Sequence, residues 1–169
     1  SCAYNDYPNL IIKNAKISTD THYVYLIAEI GVNHNGDYDE AIFLINEAIK
    51  AGFDAIKLQI RSLETYSKDS FEQKDLSVQY IEHEISRTNL NWNLYSKLIN
   101  YIKENDTHVI CTPFDEISLS YILDMDVDAI KIASCDLTHD PLINKADSSG
   151  KPIILSTGMS TESEILHTV

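Results

Sequence analysis

Two four-residue runs with the same letters, Asp54-Ala55-Ile56-Lys57 and Asp128-Ala129-Ile130-Lys131, limit what this chain can fold into more than any other feature. Both set a lysine among apolar neighbours at the same place in a recurring unit. An ammonium buried without a partner is costly, so each run calls for a compensating anion or acid nearby. Repeated strand-helix alternation predicts a parallel sheet with helices packed outside it. Both lysines are then expected on one side of that sheet.

Taken in order, Leu10 to Ile17 reads as a short β-hairpin around an Asn-containing turn. Tyr23 to Gly31 is a nearly continuous apolar run, expected as a core strand with Glu29 at its C-terminal end. Asn33-His34-Asn35-Gly36 forms a turn, and Asp37 with Glu40 resembles a capping box. Ile42, Ile45, Ala48 and Ile49 supply a helical apolar stripe that stops at Gly52. Ala55 to Ile60 is the next strand, and its Lys57 and Gln59, two apart, project to one face. Arg61 to Asn91 is a long polar connection with Tyr66, Lys68 and Asp69 near its start and a short helix around Leu76 to Ile85. Connections of this length carry function or mobility. Asn91 then caps a helix spaced by Trp92, Tyr95, Leu98, Ile99 and Ile102. Three further strands are expected at Thr107 to Thr112, Ala129 to Ser134 and Pro152 to Thr157. Leu119, Ile122 and Leu123 mark one intervening helix, Pro141 to Ser149 another, and Thr161 with Glu164 caps a last one.

Composition narrows the function classes. At 169 residues, 44% hydrophobic and 23% charged, the chain has the make-up of an ordinary globular domain. No apolar run approaches the roughly 20 residues that span a bilayer, and there is no signal-peptide pattern, so a cytoplasmic protein is expected. The net charge of −13 repels nucleic acid and anionic membranes, leaving small molecules as partners. A few focused lysines can still hold a small anion against that background. Cys2, Cys111 and Cys135 contain no CxxC pair and read as small buried apolar residues. His34 and His139 lack metal-ligand spacing and read as exposed turn residues.

Parallel α/β folds carry their chemistry at the C-terminal ends of strands. Here those ends hold Glu29, Asn33, Lys57, Gln59, Thr112, Lys131, Ser134, Asp136, Ser156 and Thr157. Three readings of the lysines stand side by side. They cradle a phosphate or carboxylate together with the hydroxyls, they pair with acids such as Glu29, or Lys131 acts as a Schiff-base nucleophile of depressed pKa. Glu29 is the candidate acid/base, with Asp136 next, and Ser156-Thr157-Gly158 suits an oxyanion.

Taken together, Ala28-Glu29-Ile30-Gly31-Val32-Asn33-His34-Asn35-Gly36, Lys57-Leu58-Gln59, Cys111-Thr112-Pro113-Phe114-Asp115, Lys131-Ile132-Ala133-Ser134 and Gly150-Lys151-Pro152-Ile153-Ile154-Leu155-Ser156-Thr157-Gly158-Met159 resemble the N-acetylneuraminate (sialic acid) synthase family, including its legionaminic and pseudaminic acid synthases. The motifs occur in family order from about Leu10 to Val169.

The resemblance implies an α/β fold of the TIM type, the N-terminal portion of a (β/α)8 barrel with about five βα units. Residues 1–22 would form an extension and hairpin, and 23–169 a partial barrel cut before the later strands and a C-terminal antifreeze-like domain. It implies condensation of phosphoenolpyruvate with an N-acylated amino-hexose, such as N-acetylmannosamine, with release of phosphate. By position, Lys57, Thr112, Lys131, Ser134 and Ser156 would hold phosphoenolpyruvate, with Lys131 and Glu29 at the reacting centre. Asn33, Gln59, Asp136 and the Tyr66 loop would complete substrate binding. A divalent metal, manganese or magnesium, is implied with its ligands outside this chain, as is a homodimer of the full-length protein. Many members read Ser-Gly-Glu or Ser-Gly-Asp where this chain has Ser134-Cys135-Asp136, a departure that bears on sugar preference. The alternatives are a non-catalytic truncated or degenerate barrel and a Schiff-base aldolase.

Overall fold

The computed structural model describes residues 10–18, 22–63 and 83–169. Cys2, Tyr66, Lys68, Asp69 and the start of the helix expected from Leu76 lie outside them. Five strands form one parallel sheet in chain order: β3 (Ile27–Gly31), β4 (Ala55–Ile60), β5 (His108–Pro113), β6 (Ala129–Ile132) and β7 (Ile153–Leu155). Ahead of them β1 (Leu10–Ile12) and β2 (Ala15–Ile17) pair antiparallel. The helices are α1 (Tyr38–Lys50), α2 (described over 83–88), α3 (Trp92–Glu104), α4 (Glu116–Asp124), α5 (Asp140–Asp147) and α6 (Glu162–Thr168).

Capping side chains set where most helices start. Asp37, Asn91, Asp115 and Thr161 each accept from the backbone N–H three residues on, satisfying a donor the helix leaves open. Among the described helix starts only Thr161 and Glu164 complete the reciprocal capping box. At Asp37 the side-chain bond to the Glu40 N–H is present without the return bond.

The two faces of the sheet are treated differently. Ala28, Ile30, Ile56, Leu58, Ile60, Val109, Cys111, Ile130 and Ile132 pack against α1, α3, α4 and α5 in the main core. On the other face Ile12 from β1 is fully buried against Ala55, Ile110 and Ala129, with Ile27 and Ile154 beside them. The β1–β2 pair therefore covers the N-terminal half of this second face.

Three strands are shorter than expected, β7 keeping Ile153–Leu155 of the expected Pro152 to Thr157. Tyr23 to Leu26 stays outside β3, and Tyr23, Val24 and Leu26 are exposed. The Asp54 carboxylate takes the Leu26 N–H at 2.7 Å and the Tyr23 hydroxyl, so a side chain uses what a strand partner would need. Strand β6 ends at Ile132, and Ser134 to Asp136 turn into a 3-10 helix. Among the described residues no helix is long and apolar enough to cross a membrane.

Candidate active site

Alternation along the strands puts a polar group two residues beyond each apolar residue of the covered half-face. Ile27 is followed by Glu29, Ala55 by Lys57, Ile110 by Thr112, Ala129 by Lys131 and Ile154 by Ser156. An apolar floor thus lies directly beneath a polar layer at the C-terminal ends of the strands. The expectation that Lys57 and Lys131 share one side of the sheet holds.

Within the layer the two lysines are held differently. Lys57 pairs with the Glu29 carboxylate, its register neighbour on β3, and donates to the Thr112 hydroxyl at 3.2 Å. This ion pair is the pairing with Glu29 that the sequence left open as one of three readings of the lysines. Lys131 donates to the Ile132 carbonyl at 2.8 Å and to the Ser156 hydroxyl. Burial, and then the Lys57 ammonium, push the Lys131 ammonium below its ordinary value, with Glu29 opposing. A cation so placed gains from a bound anion.

Glu29 is aimed by a break in the strand. The β3–β4 register shifts between Glu29 and Gly31, and Gly31 has φ +56°. A Cβ on Gly31 would lie 2.9 Å from Glu29 Oε1 and 3.4 Å from Gln59 Nε2, so glycine leaves room for both side chains.

The other expected residues divide. Thr112 is buried within the layer, and Gly158 lies close to Ser134, with the position of a Cβ on it 3.4 Å from the Ser134 Cβ. Asn33 spends its amide on the Ile30 carbonyl at 2.9 Å, holding the turn, yet lines a cleft with Gln59. Asp136 faces the His139 ring at 3.9 Å. Cys135 is exposed, against the buried role expected of it, because the 3-10 turn carries it off the strand; Cys111 is buried. His34 is also corrected: it is fully buried, its Nδ1 accepting from the Gly36 N–H at 3.1 Å and its ring edge-on to Tyr95. Arg61 and Asp115 were not singled out by the sequence. Arg61 stacks on Phe114, and buried Asp115 accepts from the backbone of Ser62 and Ser118.

A parallel α/β sheet with two lysines and two hydroxyls above an apolar floor sets donors of the kind that match an anion's oxygens at the strand ends. Comparison with known proteins gives the lineage: the chain belongs to the NeuB family, whose model matches residues 44–169. It is 34% identical to the N-acetylneuraminate-9-phosphate synthase of Drosophila melanogaster, over 82% of this chain and 38% of that one. It is 31% identical to the N,N'-diacetyllegionaminic acid synthase of Legionella pneumophila, over 83% of this chain and 41% of that one. The crystal structure of the N-acetylneuraminic acid (sialic acid) synthetase of Leptospira borgpetersenii in complex with citrate superposes with a TM-score of 0.83 at 28% identity, covering 95% of this chain and 53% of that one. The chain spans about two fifths of the length of the curated relatives it matches, 38% and 41% of these two.

Proposed function

We propose that the whole protein condenses phosphoenolpyruvate with an N-acylated amino-hexose, N-acetylmannosamine or an analogue, forming a nonulosonic acid and releasing phosphate. The observation that carries this reading is the polar layer itself: two lysines, Thr112 and Ser156 stand together above an apolar floor, a donor set for phosphate and carboxylate. Lys57, Lys131, Thr112, Ser134 and Ser156 hold the phosphoenolpyruvate, and Glu29 moves the proton beside the reacting carbons. Gln59 faces the sugar, and Asn33 and Asp136 complete substrate binding. The described strands are read as the front of a TIM-type (β/α)8 barrel, with the β1–β2 pair as its plug, in a full-length protein that is cytoplasmic and homodimeric.

Among the described residues no three His, Cys, Asp or Glu side chains converge as a metal site. A divalent ion, manganese or magnesium, enters the proposal through ligands outside this chain.

The test is phosphate release by the full-length protein given phosphoenolpyruvate, N-acetylmannosamine and manganese. Absence of turnover with every N-acyl amino sugar overturns the reading. A second reading, a Schiff-base aldolase, is favoured by the lowered Lys131 pKa. Borohydride trapping of a substrate adduct on Lys131 would select it.

A further inference from the structure

In each copy of the Asp-Ala-Ile-Lys run the aspartate closes two hydrogen bonds on one residue near the N-terminal end of the neighbouring strand. The Asp54 N–H donates to the Leu26 carbonyl at 2.9 Å, while the Leu26 N–H donates to the Asp54 carboxylate at 2.7 Å. The Asp128 N–H donates to the Val109 carbonyl at 2.9 Å, while the Val109 N–H donates to the Asp128 carboxylate at 2.8 Å. Each carboxylate stands in for a main-chain carbonyl that a longer parallel ladder would supply.

Closing both bonds on one residue fixes the alignment along the strand. Leu26 and Asp54 stand one step before the Ile27–Ala55 pair, so three residues further on Glu29 faces Lys57. Val109 and Asp128 stand one step before the Ile110–Ala129 pair, and the same count sets Thr112 beside Lys131. Three residues span about 10 Å of strand, so the aspartates lie well below the polar layer. Between the two clamps the Asp54 carbonyl takes the His108 N–H at 3.0 Å and carries the alignment from β4 to β5. Val109 is fully buried, so its N–H has no ready substitute for Asp128. Leu26 is 45% exposed, where water can take over from Asp54.

We infer that Asp54 and Asp128 are positioning residues of the strand-end site, Asp128 the dominant one, whose paired bonds set the register in which Glu29 meets Lys57 and Thr112 meets Lys131. What each clamp requires is an acceptor at a fixed place, which a neutral amide oxygen supplies as a carboxylate does. A misplacement of about 1 Å can cost about 100-fold at a site, so a fault at the foot of the strands is felt at their tips. This role rests on the proposed substrate site, and the ligand-free structures of the variants separate the two.

In the full-length, manganese-loaded protein Asp128→Asn and Asp128→Ala remove the same charge, and only the first keeps an acceptor. Phosphoenolpyruvate is titrated calorimetrically at a temperature where every variant is folded. Asp128→Ala should bind it roughly 10- to 100-fold more weakly than the parent, and Asp128→Asn within about threefold. The same pair at Asp54 should keep that order with a smaller loss. Leu98→Ala, which opens a cavity on the other face of the sheet, destabilises the fold and should leave the affinity within about twofold. Crystal structures of the two Asp128 variants without ligand should show Thr112 displaced from Lys131 by more than about 0.5 Å in Asp128→Ala and in place in Asp128→Asn. Should Asp128→Ala not fold, Asp128→Glu, which carries the acceptor one methylene further, replaces it with the same expectation. An undisplaced Thr112, equal losses in both Asp128 variants, parent-like affinity in Asp128→Ala or an equal loss in Leu98→Ala overturns the inference. Displacement in Asp128→Ala alone, in a protein whose parent binds no phosphoenolpyruvate, upholds the clamp and refutes the proposed substrate.

Discussion

Glu29 and Lys57 face each other in the β3–β4 register and form an ion pair in which the ammonium is 13% exposed and the carboxylate 48%. The lysine is the desolvated partner and the acid stays open to solvent. Such an acid can orient Lys57 in the resting site and still exchange a proton. Glu29→Gln keeps the shape and removes that capacity. In the full-length protein it should lower turnover by roughly 10²- to 10⁴-fold. Phosphoenolpyruvate affinity should hold or tighten, since a negative charge leaves the anion's neighbourhood. Turnover within a few-fold of the parent would reduce Glu29 to an ion-pair partner.

Lys131 presents the opposite case, a cation whose bonds run to the neutral oxygens of Ile132 and Ser156. Burial and Lys57 lower its pKa, so between the folded and unfolded values the unfolded chain binds more protons. Stability contributed by this group therefore rises with pH through that window, and its cost is fully present below it. Lys131→Met should raise stability by about 1 kcal/mol at neutral pH and lose part of the alkaline gain, while phosphoenolpyruvate binding collapses. Urea midpoints at neutral and alkaline pH, beside calorimetric titration, measure all three effects. A lower midpoint for Lys131→Met at neutral pH would mean that its two hydrogen bonds outweigh the buried charge.

Local chemistry made part of this readable from the chain. The strand from Ala55 to Ile60 was legible because period-two alternation, Gly52 and the caps all act within a few residues. The same alternation placed Lys57 and Gln59 on one face, and the repeated Asp-Ala-Ile-Lys put Lys131 with them. What was not legible depends on groups distant in sequence. Tyr23 to Leu26 looks like a strand until Asp54 claims its donors, and His34 looks like an exposed turn residue until Tyr95 covers it. Arg61 reads as the first residue of a polar loop, and only the return of β5 brings Phe114 beneath it.

Two buried histidines should make the fold less stable in acid. Burial holds His34 below its ordinary pKa against the pull of Asp37, and burial likewise lowers His108 against Asp128. His108 bridges the Tyr25 hydroxyl at 2.7 Å and Asn14 of the β1–β2 turn at 3.0 Å, tying that pair to the sheet. Both rings are favoured neutral in the folded chain. Stability from them is present above the ordinary histidine pKa of 6.5 and is lost as pH falls below it, where the unfolded chain takes up the protons. Denaturation midpoints should be flat just above this value and drop below it. The double variant His34→Leu/His108→Phe should show a shallower drop, and an unchanged slope would assign acid sensitivity to other groups.

Asp115 links the exit of β4 to the start of α4, and its two oxygens serve two separate backbone donors, Ser62 and Ser118. Ser62, Asp115 and Ser118 are all buried, so water cannot readily replace a lost acceptor. Asp115→Ala removes a helix cap and leaves the Ser62 N–H without that acceptor. Adding a cap of about 1 kcal/mol to an unsatisfied buried donor of about 1–3 kcal/mol gives an expected loss of roughly 2–4 kcal/mol. Asp115→Asn keeps one acceptor and should retain the cap while losing the second bond, for about half that cost. Chemical denaturation of the three proteins measures the series. Hydrogen exchange separates the two donors: in Asp115→Asn the Ser118 amide should stay protected while the Ser62 amide opens. Equal losses for both substitutions would show that the carboxylate charge, and not the paired acceptors, secures the junction.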